Sequence, residues 1–471
     1  MRKTKIVCTL GPATDKENVL EELVKIGMNV ARFNFSHGTQ EDHKKRFEAL
    51  NRLRKGKYQN IATLLDTKGP EIRIGKFEKG KIELLQNQVF TLTTRDVIGT
   101  NNIVSISYQN IIKDLDVGKH IFIDDGLIDL LVTDITKTDL KCTVLNGGII
   151  SDTKGVNVPD TILTMEYLSE RDKSDVIFGI KQGFDFIAAS FVRSAHDVKQ
   201  IRALLAENGG ENIKIISKIE NRQGVDNLEE IIQESDGIMV ARGDLGVEIP
   251  IEEVPILQKK IIKMTRSIGK QVITATQMLD SMMKNPRPTR AETADVANAI
   301  YDGTSAIMLS GETAAGTYPI ESLKTMVKIA TKTEEAIDYK QRFFSKKINK
   351  NPDITEAISH ATVTTALNLQ AKAIVTVTES GHTARMISRY SPSCIIAGCS
   401  TSLQVCRQLN LSFGVMPIMF LDKKDVLKLF EYAIKETKEH GYLSKNDIVV
   451  ITAGLPLGQA GTTNMIKVET I

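Results

Sequence analysis

Eight short apolar runs, each closed by polar or glycine residues, constrain this chain more than any other feature. They are Ile6–Leu10, Val30–Phe35, Ile61–Leu65, Phe186–Phe191, Ile213–Ile219, Gly237–Val240, Gln271–Ala275 and Ala306–Leu309. Helix-like segments separate most of them, among them Lys16–Ile26, Asp42–Leu53, Asp197–Glu207 and Glu229–Glu234. Strands alternating with helices imply a parallel sheet. Eight such units imply a closed (β/α)8 TIM barrel, whose active site lies at the C-terminal ends of the strands. Here those ends carry Asn34, Ser36, Asp66, Thr67, Lys218, Glu220, Asp244, Thr276 and Ser310. Packing does not account for polar groups converging on one rim.

The pattern breaks once. Between Gly69-Pro70 and Val158-Pro159 the helical period vanishes, and alternating runs such as Lys81–Leu85, Val89–Thr93 and His120–Ile123 take over. Turn signals, Asp125-Gly126 and Gly147-Gly148, punctuate them. This reads as an all-β domain inserted after the third strand and free to move as a lid. A separate, doubly wound α/β unit is expected after the charged segment Lys340–Lys350, with strands at Ala373–Thr378, Cys394–Ala397, Val415–Phe420 and Asp447–Thr452. A helix is expected over Asp425–Lys438, and no further module after the last strand. The expected division is 1–69 with 159–339 for the barrel, 70–158 for the insert and 340–471 for the C-terminal unit.

Bulk properties narrow the function. The 471 residues suffice for roughly three domains. A net charge of +3, with Lys and Arg scattered among acids, argues against nucleic acid or an anionic membrane as the main partner. No apolar run approaches the roughly 20 residues that span a bilayer. The N-terminal apolar run is too short for a signal peptide. Five scattered cysteines without a C-x-x-C pair suggest reduced thiols in a cytoplasm, and the seven histidines show no zinc spacing.

Lys218-Ile219-Glu220 and Ala241-Arg242-Gly243-Asp244 put a lysine and two carboxylates at the ends of neighbouring strands. Magnesium usually takes one or two carboxylates plus substrate phosphates, and a lysine beside it suits the charge of phosphoryl transfer. A surface ion pair is the plain alternative for each pair taken alone. Gly243-Asp244 is expected to open a short helix over Leu245–Glu248, whose free N–H groups bind anions. Thr378-Glu379-Ser380-Gly381-His382-Thr383 follows a strand and precedes the helical segment Ala384–Arg389, so its hydroxyls and amides offer a phosphate cradle or a simple turn.

Longer motifs carry a resemblance over essentially the whole chain. Ile215-Ile216-Ser217-Lys218-Ile219-Glu220-Asn221 resembles the active-site signature of the pyruvate kinase family. Asn34–Gly38, Asp66–Arg73, Lys154–Asn157, Asn285–Glu292 and Met308–Thr313 match in the same order. The resemblance implies a barrel, a small β-barrel lid and a C-terminal α/β regulatory domain. It implies phosphoryl transfer from phosphoenolpyruvate to ADP. Glu220 and Asp244 are then the ligands of Mg2+ (or Mn2+), and Asn34, Ser36, Asp66 and Thr67 those of K+. Lys218 and Arg73 stabilise the phosphoryl group, Arg32 lies on the phosphate side, and Gly243, Asp244 and Thr276 bind substrate. Thr276 and Ser310 order the water that protonates the enolate. His37, Arg73 and Lys154 match nucleotide-side positions. Family members that work without potassium carry lysine where this chain has Glu71, so potassium dependence is expected.

The Thr378–Thr383 segment matches the family's effector loop, with Thr378, Ser380, Gly381 and Thr383 as contacts. Glu379 stands where responders to fructose bisphosphate place lysine, which favours a monophosphate effector such as ribose 5-phosphate or AMP. Members are usually homotetramers. Two other classes compete: a barrel lyase or aldolase, which needs neither lid nor Arg73 and Lys154, and a non-catalytic sensor, which has no reason to keep Lys218, Glu220 and Asp244.

Overall fold

The computed structural model describes residues 1–345, 352–420, 426–456 and 463–471. The expected charged segment Lys340–Lys350 and the start of the expected helix at Asp425 lie partly outside these residues. Residue 340, taken as the first of the last unit, lies inside the helix Tyr339–Phe344.

Eight parallel strands close into a barrel in chain order: Lys5–Leu10, Val30–Asn34, Ala62–Asp66, Phe186–Ala189, Lys214–Ile219, Gly237–Ala241, Gln271–Ala275 and Ala306–Leu309. The first strand pairs with the second and with the eighth, so no edge remains. Each apolar run of the sequence is one of these strands. The first shows why the runs are continuous: Val7 points into the barrel, while Ile6, Cys8 and Leu10 point out against the helices. A strand buried on both faces has no polar alternation to show. The helices between strands are closed by ordinary signals. Thr289 and Glu292 form a reciprocal cap on Arg290–Asp302, and Gly303, at φ +98°, ends it.

The insert is a seven-stranded sheet plus a two-stranded ribbon. Its terminal strands, Ile72–Arg73 and Ile103–Ser105, meet through an antiparallel bridge between Ile74 and Ile106. Gly75 N–H donates to Ser105 O at 2.8 Å and Ser107 N–H to Arg73 O at 2.9 Å, which closes the sheet on itself. One four-residue helix, Ile111–Asp114, departs from the all-β expectation.

The C-terminal unit holds five strands in the order Val415–Met419, Ile395–Ser400, Ala373–Val377, Ile448–Ala453, Met465–Thr470. The first four are parallel, and separate apolar clusters cover the two faces of the sheet. The fifth, antiparallel strand was not expected. Its alternation of half-buried and exposed residues marks a sheet edge, where Lys467 and Glu469 interrupt the apolar run.

This unit also supplies the barrel floor. Leu411 is fully buried in the cluster that fills the barrel interior, together with Val7, Phe186 and Ile216. Around it, amide side chains meet carbonyls just before the strands begin. Gln408 Nε2 donates to Asn212 O at 2.7 Å, and Asn410 Nδ2 to Asn29 O at 3.1 Å and Asn60 O at 3.0 Å. Lys5 Nζ, enclosed at the same end, donates to Val415 O at 2.5 Å. Burial pushes its pKa down to about 7.

Candidate active site

The fifth barrel strand ends on Lys218 and Ile219, and the period of two turns Lys218 into the barrel mouth. Its Nζ lies 3.1 Å from Asp66 Oδ1, 2.9 Å from Glu220 Oε1 and 2.8 Å from Ser190 Oγ. Burial works against the ammonium, yet Asp66 and Glu220 outweigh it and hold the pKa above the ordinary lysine value. Asp66, fully enclosed, also accepts from Arg32 Nε at 2.6 Å. Burial opposes its charge, but Arg32 and Lys218 keep its pKa below the usual carboxylate range.

Glu220 is the unusual member. Its Oε2 accepts from Phe191 N–H at 2.7 Å. Its Oε1 is buried and makes no hydrogen bond of acceptable geometry, although Lys218 is close. Burial lifts its pKa to about 7, with the charges of Asp244 and Asp66 adding to the shift. An orphaned carboxylate oxygen beside a second carboxylate fits a hard divalent cation that completes its shell with substrate and water. Among the described residues no group of three or more His, Cys, Asp or Glu gathers as a metal cage.

Asp244 lies on the helix Arg242–Glu248, which begins earlier than expected: Arg242, Gly243 and Asp244 form its first turn. Gly243 packs against Thr276, and a Cβ added there would sit 2.8 Å from Thr276 Cγ2. Thr276 holds φ +73°, a strained conformation for a β-branched residue. Arg242 keeps it there by donating to Thr276 O at 2.8 Å and Ala275 O at 3.2 Å while gripping Asp295 with both arms at 2.7 Å. Ser310, after the eighth strand, donates its N–H to Glu312 Oε2 at 2.7 Å, and Glu312 Oε1 accepts from Leu279 N–H at 3.0 Å. One buried carboxylate thus ties together the loops of Thr276 and Ser310.

Asn34 and Asp66 are register partners on adjacent strands, with Ser36 and Thr67 just beyond. Asn34 Oδ1 accepts from Ser36 N–H at 3.2 Å. This gathers oxygen donors at one point of the rim.

The residues expected on the nucleotide side are more dispersed. His37 is exposed. Arg73 donates to Thr153 O at 2.6 Å and pairs with Glu71, and Lys154 Nζ lies 2.8 Å from Asp124 Oδ1. All belong to the insert except His37. Between insert and barrel lies a cavity of about 110 Å³ lined by Glu71, Asp125, Asn157, Phe191, Asp244 and Glu248.

In the C-terminal loop, Gly381 at φ +79° turns the chain into the helix His382–Ser388, which starts two residues before the expected Ala384. Thr378 and Thr383 are buried, and the Thr383 hydroxyl bonds that of Thr463 at 2.8 Å. Ser380 O accepts from Arg385 Nη1 at 3.1 Å.

Sequence reasoning missed Ser190, the hydroxyl that bridges Lys218 and Asp66. The one signal for it was a serine inside the apolar run Phe186–Phe191. Phe191, at φ +53°, gave no signal for its role of aiming a backbone N–H at Glu220.

Known proteins are similar to this chain over its whole length. The pyruvate kinase barrel domain matches residues 1–323, and the pyruvate kinase alpha/beta domain matches residues 356–469. The chain belongs to the pyruvate kinase family. It is 50% identical over 473 aligned positions to a pyruvate kinase of Sporosarcina psychrophila, covering 100% of this chain and 81% of that protein. The same identity and coverage hold for the Bacillus licheniformis pyruvate kinase. The Clostridium acetobutylicum pyruvate kinase is 48% identical, with 100% of both chains covered. Membership in the pyruvate kinase family also explains why the barrel, the closed insert and the doubly wound unit occur in one chain. No described helix is long and apolar enough to cross a membrane.

Proposed function

We propose that this chain transfers the phosphoryl group of phosphoenolpyruvate to ADP, giving pyruvate and ATP, the last step of glycolysis. The observation that carries this reading is Lys218 Nζ, enclosed at the barrel mouth 3.1 Å from Asp66 Oδ1 and 2.9 Å from Glu220 Oε1, an oxygen left without a hydrogen bond. A divalent ion, Mg2+ or Mn2+, held by Glu220 and Asp244 supplies Lewis-acid charge when bound. Lys218 and Arg73 stabilise the phosphoryl group in flight. Arg32 holds Asp66 on the phosphate side. The first-turn amides around Gly243 and Asp244, with the Thr276 hydroxyl, receive the substrate carboxylate. Thr276 and Ser310 order the water that protonates the enolate. Asn34, Ser36, Asp66 and Thr67 offer the oxygen donors for K+, and His37, Arg73 and Lys154 face the nucleotide.

Residues 70–158 act as the lid in this reading, with 1–69 and 159–339 as catalytic body and 340–471 as regulatory unit. A phosphorylated-metabolite effector at Thr378, Ser380, Gly381 and Thr383, a homotetramer and a cytoplasmic location complete the proposal. Support for the location comes from five unpaired cysteines, four of them buried. Support for the loop comes from Gly381, whose φ of +79° turns the chain from the strand into the helix His382–Ser388.

The test is pyruvate release from phosphoenolpyruvate with magnesium, with and without ADP. Release that requires ADP supports the proposal, and release without ADP points to a lyase. A second expectation follows from the Gly243–Thr276 contact. Gly243→Ala should push Thr276 aside and lower kcat by about 10²-fold, the size of effect a 1 Å misplacement produces. Steady-state kinetics beside a thermal melt checks this, with little change expected in the melt.

A further inference from the structure

Two adjacent contacts join the insert to the helix that bears Asp244. Asn157 Nδ2, on the return strand Gly155–Asn157, donates to Glu248 Oε1 at 2.8 Å. Gly126, in the turn Asp124–Leu127, lies over the neighbouring residue, with its Cβ position 3.7 Å from Val247 Cγ1. Leu127 N–H closes that turn onto Asp124 O at 3.1 Å, and Asp125 and Gly126 hold φ +55° and +83°. Positive φ at both central residues makes a stiff hairpin turn. Val247 and Glu248 end the same short helix whose first turn bears Asp244. Glu248 is four residues after Asp244 and therefore on the same helix face.

The insert side of the contact is one unit. Lys154 stands three residues before Asn157 and binds Asp124 of the same turn at 2.8 Å. Seating Asn157 on Glu248 therefore also sets where Lys154 stands relative to Asp244. The seam otherwise gathers like charge. Asp125 from the turn, Asp160 from the return segment, and Asp244 and Glu248 from the helix all line one cavity, with Arg193 and Arg222 as its cations. Carboxylates facing one another oppose closure, so one neutral amide donor is a contact that registers the insert without fastening it.

We propose that the Asn157–Glu248 hydrogen bond is a release-capable latch, a positioning pair that sets the closed insert on the Asp244 helix. It rests on the phosphoryl-transfer reading above, since it assigns Lys154 to the nucleotide. Loops that close over an active site must also reopen for product to leave, which favours a weak and specific contact.

The test is a double-mutant cycle in the full chain with Asn157→Ala, Glu248→Ala, the pair together, and Glu248→Gln. Each alanine variant should lose roughly tenfold in kcat/KM for ADP, the scale of leaving one buried hydrogen-bonding group without its partner. The pair together should lose no more than one alone. Glu248→Gln keeps the acceptor and should remain within about twofold of the unmodified enzyme. Hydrogen exchange should quicken in Asp124–Leu127 and in Arg242–Glu248 of the alanine variants, and not elsewhere in the insert. Losses that multiply, a Gln variant as impaired as Ala, or unchanged exchange overturns the latch. Failure of the reaction itself is separate: it appears in the unmodified protein as pyruvate release indifferent to ADP.

Discussion

Lys218→Met is expected to lower kcat by about 10³-fold, the upper range for removing one preorganised charge from a transition state. Phosphoenolpyruvate affinity should change far less. Methionine matches the lysine in length and removes the ammonium that Asp66, Glu220 and Ser190 hold from three sides. Asp66 keeps Arg32, so the variant does not strip that carboxylate of every cation. Glu220 is left more exposed to its own burial. Breaking a buried pair costs about 3–5 kcal/mol, so a lower melting temperature should accompany the kinetic loss. The measurement is kcat and KM together with direct substrate binding at a temperature where the variant is folded. A loss confined to binding, with kcat retained, contradicts the role assigned to Lys218.

Withholding potassium is expected to lower activity by about 10²-fold, on the same scale of electrostatic stabilisation. Glu71 is the residue that makes the ion necessary. Its carboxylate pairs with Arg73 and lies 3.6 Å from Lys68 Nζ. No lysine at this position stands in for a monovalent ion. Glu71→Lys should regain part of the lost activity in potassium-free buffer. Recovery should be partial, because the substitution sets a third cation beside Lys68 and Arg73. Assays in a bulky organic cation salt at constant ionic strength check both halves. Full activity of the unmodified enzyme there removes potassium from the account.

Much of this molecule was legible before its structure, for a physical reason. Barrel strands buried on both faces need continuous apolar runs, so Gln271–Ala275 and Ala306–Leu309 announce themselves with their bounds. The carboxylates and lysine of the rim follow directly from where those runs stop. What stayed hidden depends on groups far apart in the chain. Ser190 gains its importance only beside Lys218 and Asp66. Asn157 and Glu248 are 91 residues apart. The strand Met465–Thr470 pairs at an edge, where exposure dilutes the apolar signal. The early start of the Arg242–Glu248 helix reflects the grip of Arg242 on Asp295, a contact across 53 residues.

Leu411 bears on how such chains can be recombined. The barrel interior is completed by a side chain that arrives more than a hundred residues after the last barrel strand. A catalytic body cut out on its own leaves an apolar hollow at its base and the carbonyls of Asn60 and Asn212 without the amides that satisfy them. Exchanging regulatory units between relatives therefore transplants a piece of the barrel as well. A chimera keeps its catalytic half intact only if the segment from Gln408 to Val415 matches the barrel it must close.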